Sequence, residues 1–339
     1  MRSFVYSEFG PSSVLRLVQR PDPQPGPGEV LVRIVRAGVN PTDWKFRVGG
    51  MGPLQHDEVS PGQDGAGVVE AVGQGVQHVS AGDRVWLVLA QHGRALGTAS
   101  ELTVQPGELV VKLPEEASYD LGASLGVPAV TAHRALTAGE STSRLGPDAL
   151  LGQTVLVAGG AGAVGNAAIQ LAVWSGATVI TTVSSPEKAA LARAAGAHHV
   201  IDYRTEDVAA RIAEIAAEGV DLVVEVAPAD NLGLDLEVVR NRGTIAFYAN
   251  NGGDEATVPV RPAFAKNVRV QGLLLYTLGA DLLAAATDDV TAAVAAGALR
   301  VGEAVGLPLH HYDLAETAAA HDAVESGAVG KVLLDLDRR

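Results

Sequence analysis

Glycines 160, 162 and 165 stand with G-x-G-x-x-G spacing in the run TVLVAGGAGAVGNAAIQLA (154–172), between a continuous apolar stretch and a segment suited to a helix. Glycine is needed where a chain turns tightly, where backbone approaches a pyrophosphate, and where a helix packs closely on a sheet. The first helical amides, those of Ala163, Val164 and Gly165, then present unpaired N–H groups and a partial positive charge to phosphates. A Gly-rich turn can arise by chance in a chain with 39 glycines. Here the strand, the helix and the next strand all fall where the fingerprint requires, so the run predicts dinucleotide binding.

The end of the following strand selects the dinucleotide. A site for NAD usually carries Asp or Glu there to accept from the ribose hydroxyls. The run TTVSSPEKAALAR puts Val183, Ser184 and Ser185 at that place, with Lys188 one turn later. Two hydroxyls and an ammonium can donate to a 2′-phosphate, and no carboxylate stands at the strand end to repel it. NADPH is the predicted cofactor; the competing reading is an ordinary solvated helix start with Glu187 partly cancelling Lys188.

The elements that must position these residues change character near residue 125. Before it, short alternating runs (30–35, 67–72, 84–89, 101–104) are separated by Gly/Pro/Asp turns, which predicts a β-rich, barrel-like domain. Residues 21–28 hold four prolines and read as a linker. After it, strands at 154–158, 178–183, 200–203, 221–226 and 244–249 alternate with helices at 163–175, 186–195, 205–218 and 231–241. Pro186 suits a first helical turn and Thr205 an N-cap. Repeated βα units with continuous apolar strands predict a parallel sheet covered on both faces. A sixth strand is expected at 268–276, a helix at 280–296, a polar loop at 139–152, and a returning strand in GKVLLDL (330–336).

Composition narrows the class of protein. The 339 residues suffice for two domains with a large core. A formal charge of -14 and 4% aromatics argue against a nucleic-acid partner. Zero cysteine removes disulfides and thiolate zinc sites. The N-terminus lacks an apolar secretory core, and 154–174 reads as strand-turn-helix rather than a membrane span, so a cytoplasmic, non-membrane protein is expected.

With these residues in view, the chain resembles the zinc-free medium-chain dehydrogenases/reductases, closest to the zeta-crystallin-like quinone oxidoreductases. The matching runs are EVLVRIVRAGVNPTDWKFRVG (29–49), PGQDGAGVVEAVGQGV (61–76), AGDRVW (81–86), LGVPAVTAHRAL (125–136), VAGGAGAVGNAAIQLA (157–172), SSPEKAALARAAGAHHVIDYRTED (184–207) and GKVLLDL (330–336). They are collinear with the family over nearly the full length. The resemblance implies an α/β protein with a GroES-like β-rich barrel domain (1–124, with a C-terminal return at 304–339) plus a Rossmann doubly wound parallel sheet (125–303), and an active site in the cleft between them. The family motif is read as Gly159, Gly162 and Gly165, which leaves Gly160 as an extra glycine expected to be harmless.

Zinc-dependent relatives carry a cysteine after the first Gly-Val, a His-Glu pair after Pro-Gly and another cysteine near the start of the coenzyme domain. Those places hold Asn40, Gln63-Asp64 and apolar residues around Val127, so no zinc is expected. The resemblance places Asn40, Asp43 and Gln63 at the cleft floor. The Asn40 amide can donate to a ribose or carbonyl oxygen, with a turn residue before Pro41 as the competing reading. Asp43 is expected to orient neighbours, because an ionised carboxylate opposes a developing oxyanion. The resemblance further implies Tyr203 near the adenosine phosphate, Asn250 at the carboxyl edge after the fifth strand, Thr131 near the nicotinamide mouth and the Lys331 backbone near the carboxamide.

Hydride transfer without a Lewis acid suits acceptors that stabilise the resulting anion by conjugation. The first reading is therefore an NADPH-dependent reductase of quinones without zinc or flavin. The alternatives are an enone, alkenal or enoyl-thioester reductase on the same scaffold, and a non-catalytic NADPH-binding protein. The apolar run 268–276 is expected at an exposed sheet edge that a homodimer covers.

Overall fold

The computed structural model describes residues 1–50 and 52–336. The chain divides into two compact units, 1–127 with 308–339, and 128–307. Position 51 and the tail 337–339, which belong to the expected barrel domain and its C-terminal return, lie outside the described residues.

The first unit begins with an antiparallel pair, β1 (Arg2–Val5) and β2 (Arg16–Gln19). Next come β3 (Glu29–Val39), helix α1 (Pro41–Arg47), β4 (Asp64–Val72), β5 (Arg84–Leu87), β6 (Leu102–Pro106), β7 (Val110–Lys112) and the short α2 (Tyr119–Gly122). Alternate residues Val30, Val32 and Ile34 of β3 enter one apolar core with Val69, Val85 and Leu87, the period of two that a half-buried strand requires.

The boundary falls inside α3 (Gly126–Leu136). The second unit then builds β8 (Thr154–Ala158), α4 (Ala163–Trp174), β9 (Thr178–Val183), α5 (Pro186–Ala194), β10 (His199–Asp202), α6 (Val208–Ile215), β11 (Val220–Glu225), α7 (Pro228–Val238), β12 (Val239–Phe247), α8 (Val260–Ala265), β13 (Arg269–Gly272) and α9 (Ala280–Ala295). Its strands lie in the order β10-β9-β8-β11-β12-β13, every pair parallel. This is the doubly wound dinucleotide-binding order, with the topological switch point between β8 and β11. The chain finally returns to the first unit through β14 (Leu309–Asp313), α10 (Thr317–Glu325) and β15 (Lys331–Asp335). That sheet runs β14-β15-β3-β4-β5-β7, with β6 also on β3. No described helix is long and apolar enough to cross a membrane.

Four expected elements differ, one being the strand expected at 244–249, which is β12 and runs from Val239 to Phe247. The helix expected at 205–218 is α6, capped not by Thr205 but by Asp207, whose carboxylate accepts from the Ala210 amide at 3.1 Å. Thr205 instead belongs to a turn closed onto Asp202 O at 3.0 Å. The helix expected at 231–241 starts earlier, with Pro228 in its first turn, and stops at Val238 because Val239 already pairs with Val220 in the sheet. The strand expected at 268–276 is short: β13 pairs with β12 only as far as Gly272↔Phe247, where β12 itself ends, and the chain coils into a 3-10 turn at Leu275–Thr277.

Candidate active site

The turn after β8 combines the glycines with helix α4. Gly159 has φ +70°, the left-handed region that favours glycine, so the tight turn falls on Gly159 rather than Gly160. Gly160 is needed for a different reason: a Cβ there would lie 2.2 Å from Thr181 Oγ1, which is committed to Val157 O at 2.7 Å. The expectation that this extra glycine is harmless thus becomes a packing requirement. A Cβ on Gly165 would lie 2.4 Å from Gly159 O, so α4 approaches the turn at backbone distance. Gly162 is the N-cap, and Asn166 N→Gly162 O at 2.8 Å is the first bond within the helix. The amides of Ala163, Val164 and Gly165 precede that bond and face the end of the helix that favours anions.

Beside this turn lies the end of β9. Gly159 N donates to Thr182 O at 3.1 Å, one residue short of the strand end. Ser185 caps α5, its hydroxyl oxygen accepting from Lys188 N at 3.3 Å, while Lys188 Nζ donates to Ser184 Oγ at 3.1 Å. A hydrogen bond from Ser185 also holds the Glu187 carboxyl below its ordinary range. Ser185 is therefore occupied as the cap, while Ser184 and Lys188 are bonded to each other. Tyr203 joins them because its amide donates to Val183 O at 3.1 Å; its side chain is exposed. Asn250 lies in an exposed turn beyond β12, its amide on Asp254 Oδ1 at 2.5 Å, and Thr131 is buried on α3.

In the first unit, sheet register gathers a second cluster. Strands β4 and β15 flank β3, both antiparallel to it, so the end of β3 meets the starts of both: Gly38 pairs with Asp64 and with Leu333. Asn40, Asp64 and Lys331 therefore converge, each no more than 2% exposed. Lys331 Nζ donates to Asn40 Oδ1 at 2.7 Å and to Asp64 Oδ2 at 3.1 Å, and Asn40 Nδ2 donates to Asp64 Oδ2 at 2.8 Å. Asp64 Oδ1 accepts the Val127 amide at 2.7 Å. Gly38 leaves the room, since a Cβ there would lie 2.8 Å from the ammonium. The Lys331 N–H donates to Pro308 O at 2.8 Å, and its side chain is the buried cation of this cluster.

Asp64 is the residue that sequence reasoning missed. Its signal is a buried acid opening a strand whose other acid, Glu70, is exposed and whose remaining residues are Gly, Ala and Val. This donor set does not fit zinc: an ammonium already stands between the Asn40 and Asp64 oxygens, and the chain has no thiolate to complete a tetrahedron. Among the described residues, no group of three His, Cys, Asp or Glu side chains is placed to hold a metal ion.

Asp43, on the first turn of α1, accepts the Asn40 amide through Oδ2 at 2.7 Å, while its buried Oδ1 has no partner. Burial pushes its carboxyl up to about 7, with the Asp64 charge adding to the rise. Near neutral pH the group is therefore shared between both forms. Gln63 is fully buried, its Nε2 on Gln91 Oε1 at 3.0 Å and its Oε1 accepting His92 N at 3.2 Å.

Two family descriptions match the chain, "Alcohol dehydrogenase GroES-like domain" over residues 26–115 and "Zinc-binding dehydrogenase" over residues 163–299. In that order they define the class, the medium-chain dehydrogenases/reductases. Human quinone oxidoreductase is 30% identical over 340 residues, spanning 98% of this chain and 97% of that protein. A 2-haloacrylate reductase of Burkholderia is 34% identical over 310 residues, 88% of this chain and 87% of its own. The solved structure of Escherichia coli quinone oxidoreductase complexed with NADPH is 28% identical, with a TM-score of 0.82 over 99% of this chain and 100% of that one. The chain belongs to the quinone oxidoreductase family of zinc-free medium-chain dehydrogenases/reductases, and it is an oxidoreductase.

Proposed function

We propose that the protein is an NADPH-dependent reductase that passes hydride directly to a quinone. The observation that carries this reading is the end of β9, where Lys188 Nζ is held on Ser184 Oγ at 3.1 Å and no acid occupies the strand terminus. That corner suits a 2′-phosphate. The turn at Gly159–Gly162 and the first amides of α4 suit the pyrophosphate, with Tyr203 beside the Ser184 corner for the adenosine and Thr131 and Asn250 as further contacts. When bound, the reduced nicotinamide supplies a hydride, which a quinone accepts because conjugation stabilises the anion formed.

The first unit's side chains supply orientation and polarity. Lys331 neutralises Asp64, so Asn40 keeps one amide hydrogen to donate beside a charge-balanced pair. Asp43 in its protonated form offers a donor rather than a repelling charge. Gln63 braces the segment at 91–92.

A second reading, reduction of an activated alkene conjugated to a carbonyl, is favoured by the similarity to a 2-haloacrylate reductase. Following NADPH oxidation with benzoquinones, naphthoquinones, enones, 2-haloacrylates and crotonyl thioesters separates the two. Turnover with quinones is expected; turnover confined to the alkenes would replace the first reading by the second.

A homodimer completes the proposal. Strand β13 ends the order of the parallel sheet, and Val260, Phe264 and Leu274 around it are exposed. Apolar side chains beside a sheet edge call for a cover. Light scattering at micromolar concentration is expected to return twice the 34.8 kDa chain mass; a monomer mass overturns this part.

A further inference from the structure

The switch point of the parallel sheet carries a pair of acids that no role described so far uses. Strand β11 lies beside β8, with Leu222↔Val155, Val223↔Leu156 and Val224↔Val157 in register. It therefore ends, at Glu225, next to the turn that β8 feeds. Glu225 and Asp235 of α7 are each 1% exposed.

Glu225 is bonded through both its side chain and its backbone. Its Oε1 accepts the Ala227 amide and the Asn231 Nδ2 at 3.2 Å, and its backbone carbonyl accepts the Tyr248 amide at 3.1 Å. Burial raises both carboxyls, and the Glu225 charge helps push Asp235 up to about 9, so the pair retains a proton at neutral pH. Asp235 Oδ2 has no partner.

The consequence lies in Val226. Held between Glu225 and the clamped Ala227 amide, it packs against the dinucleotide turn: its Cγ1 lies 3.4 Å from where a Cβ on Gly159 would stand. A plain helix cap would not need two buried acids. Ala227, the N-cap of α7, has no capping side chain of its own, and a Ser or Asp at that position would cap the helix without burying a carboxyl pair. Glu225 instead ties three segments to one point at the switch: the 226–227 turn, the first turn of α7 and the backbone after β12.

We propose that Glu225, held by Asp235, is a positioning residue for the cofactor, setting Val226 against Gly159 and so fixing the width of the crevice that receives the dinucleotide. The inference rests on the NADPH reading above. Glu225→Gln keeps an acceptor for the Ala227 amide and offers an N–H to Asp235, whereas Glu225→Leu removes both at similar volume.

The test is fluorescence titration of NADPH into the purified full chain at 15 °C, with circular dichroism confirming that each variant is folded. E225Q is expected to bind within about threefold of the unsubstituted chain and E225L about tenfold or more weakly, as loss of a charged hydrogen bond implies. In turnover the loss is expected on KM for NADPH rather than on kcat. A purely structural role would lower Tm and leave the NADPH Kd unchanged in folded E225L, and that result overturns the inference. Should E225L fail to fold, Asn231→Ala removes one bond from the same carboxylate; unchanged NADPH affinity there overturns it equally. If the unsubstituted chain itself fails to bind NADPH, the cofactor reading falls and takes this inference with it.

Discussion

The Lys331 ammonium lies 3.1 Å from Asp64 Oδ2 although 267 positions separate the two residues in the chain. Both side chains are out of solvent, at 2% and 0% exposure. Each charge is tolerated inside the protein only because the other is there. Lys331→Met leaves the Asp64 carboxylate with the Asn40 and Val127 N–H donors but no counter-ion, and breaking a buried pair from one side costs about 3–5 kcal/mol. Urea unfolding of K331M is expected to show that loss, and Lys331→Met with Asp64→Asn to recover part of it. A double variant as unstable as the sum of its two singles would contradict the pairing.

Gly160→Ala drives a methyl group into Thr181 Oγ1. Overpacking of this kind costs about 1–3 kcal/mol. Adding Thr181→Ala opens the space, so the double variant is expected to be more stable than additivity allows by at least about 0.5 kcal/mol. Strict additivity in thermal melts would show that the turn relaxes by another route.

Lys188→Glu puts a carboxylate where the ammonium now reaches Ser184. KM for NADPH is expected to rise about tenfold or more, on the scale of one charged hydrogen bond, with a much smaller change for NADH. Equal effects on the two nucleotides would remove Lys188 from 2′-phosphate recognition.

Asp43 makes stability depend on pH with a definite sign. Its carboxyl titrates at about 7 in the folded chain against an ordinary 3.8. Between those values the folded state binds more protons than the unfolded state, so this contribution to stability is complete at low pH and is lost as pH rises through 7. Asp43→Asn removes the dependence. The Tm of D43N relative to the unsubstituted chain should therefore climb from pH 5 to pH 8; a difference that stays flat would place the titration elsewhere.

The strand, glycine turn and helix at 154–174 were legible because everything that specifies them is local. A continuous apolar strand, glycines at fixed spacing and a helical pattern follow one another within 21 residues. The corner at Ser184–Lys188 was legible for the same reason, as N-cap, first-turn proline and lysine all act within one turn. The end of β13 was not, because an apolar run says nothing of where its partner strand stops. Nor was Asp64, which reads in isolation as one acid beside Gln63 and becomes the centre of a cluster only when β4 and β15 close on the two sides of β3.

By itself, then, the order of residues determined the alternation of strand and helix, the turn that suits a pyrophosphate and the missing acid at the end of β9, since each depends on backbone preferences and neighbours a few positions apart. Tertiary structure alone decided that Lys331 turns its charge inward onto Asp64, that Asp43 titrates near 7, and that Glu225 shares its burial with Asp235. Those properties depend on how far water is excluded and on which distant charge fills the space, and both are set by sheet register and packing.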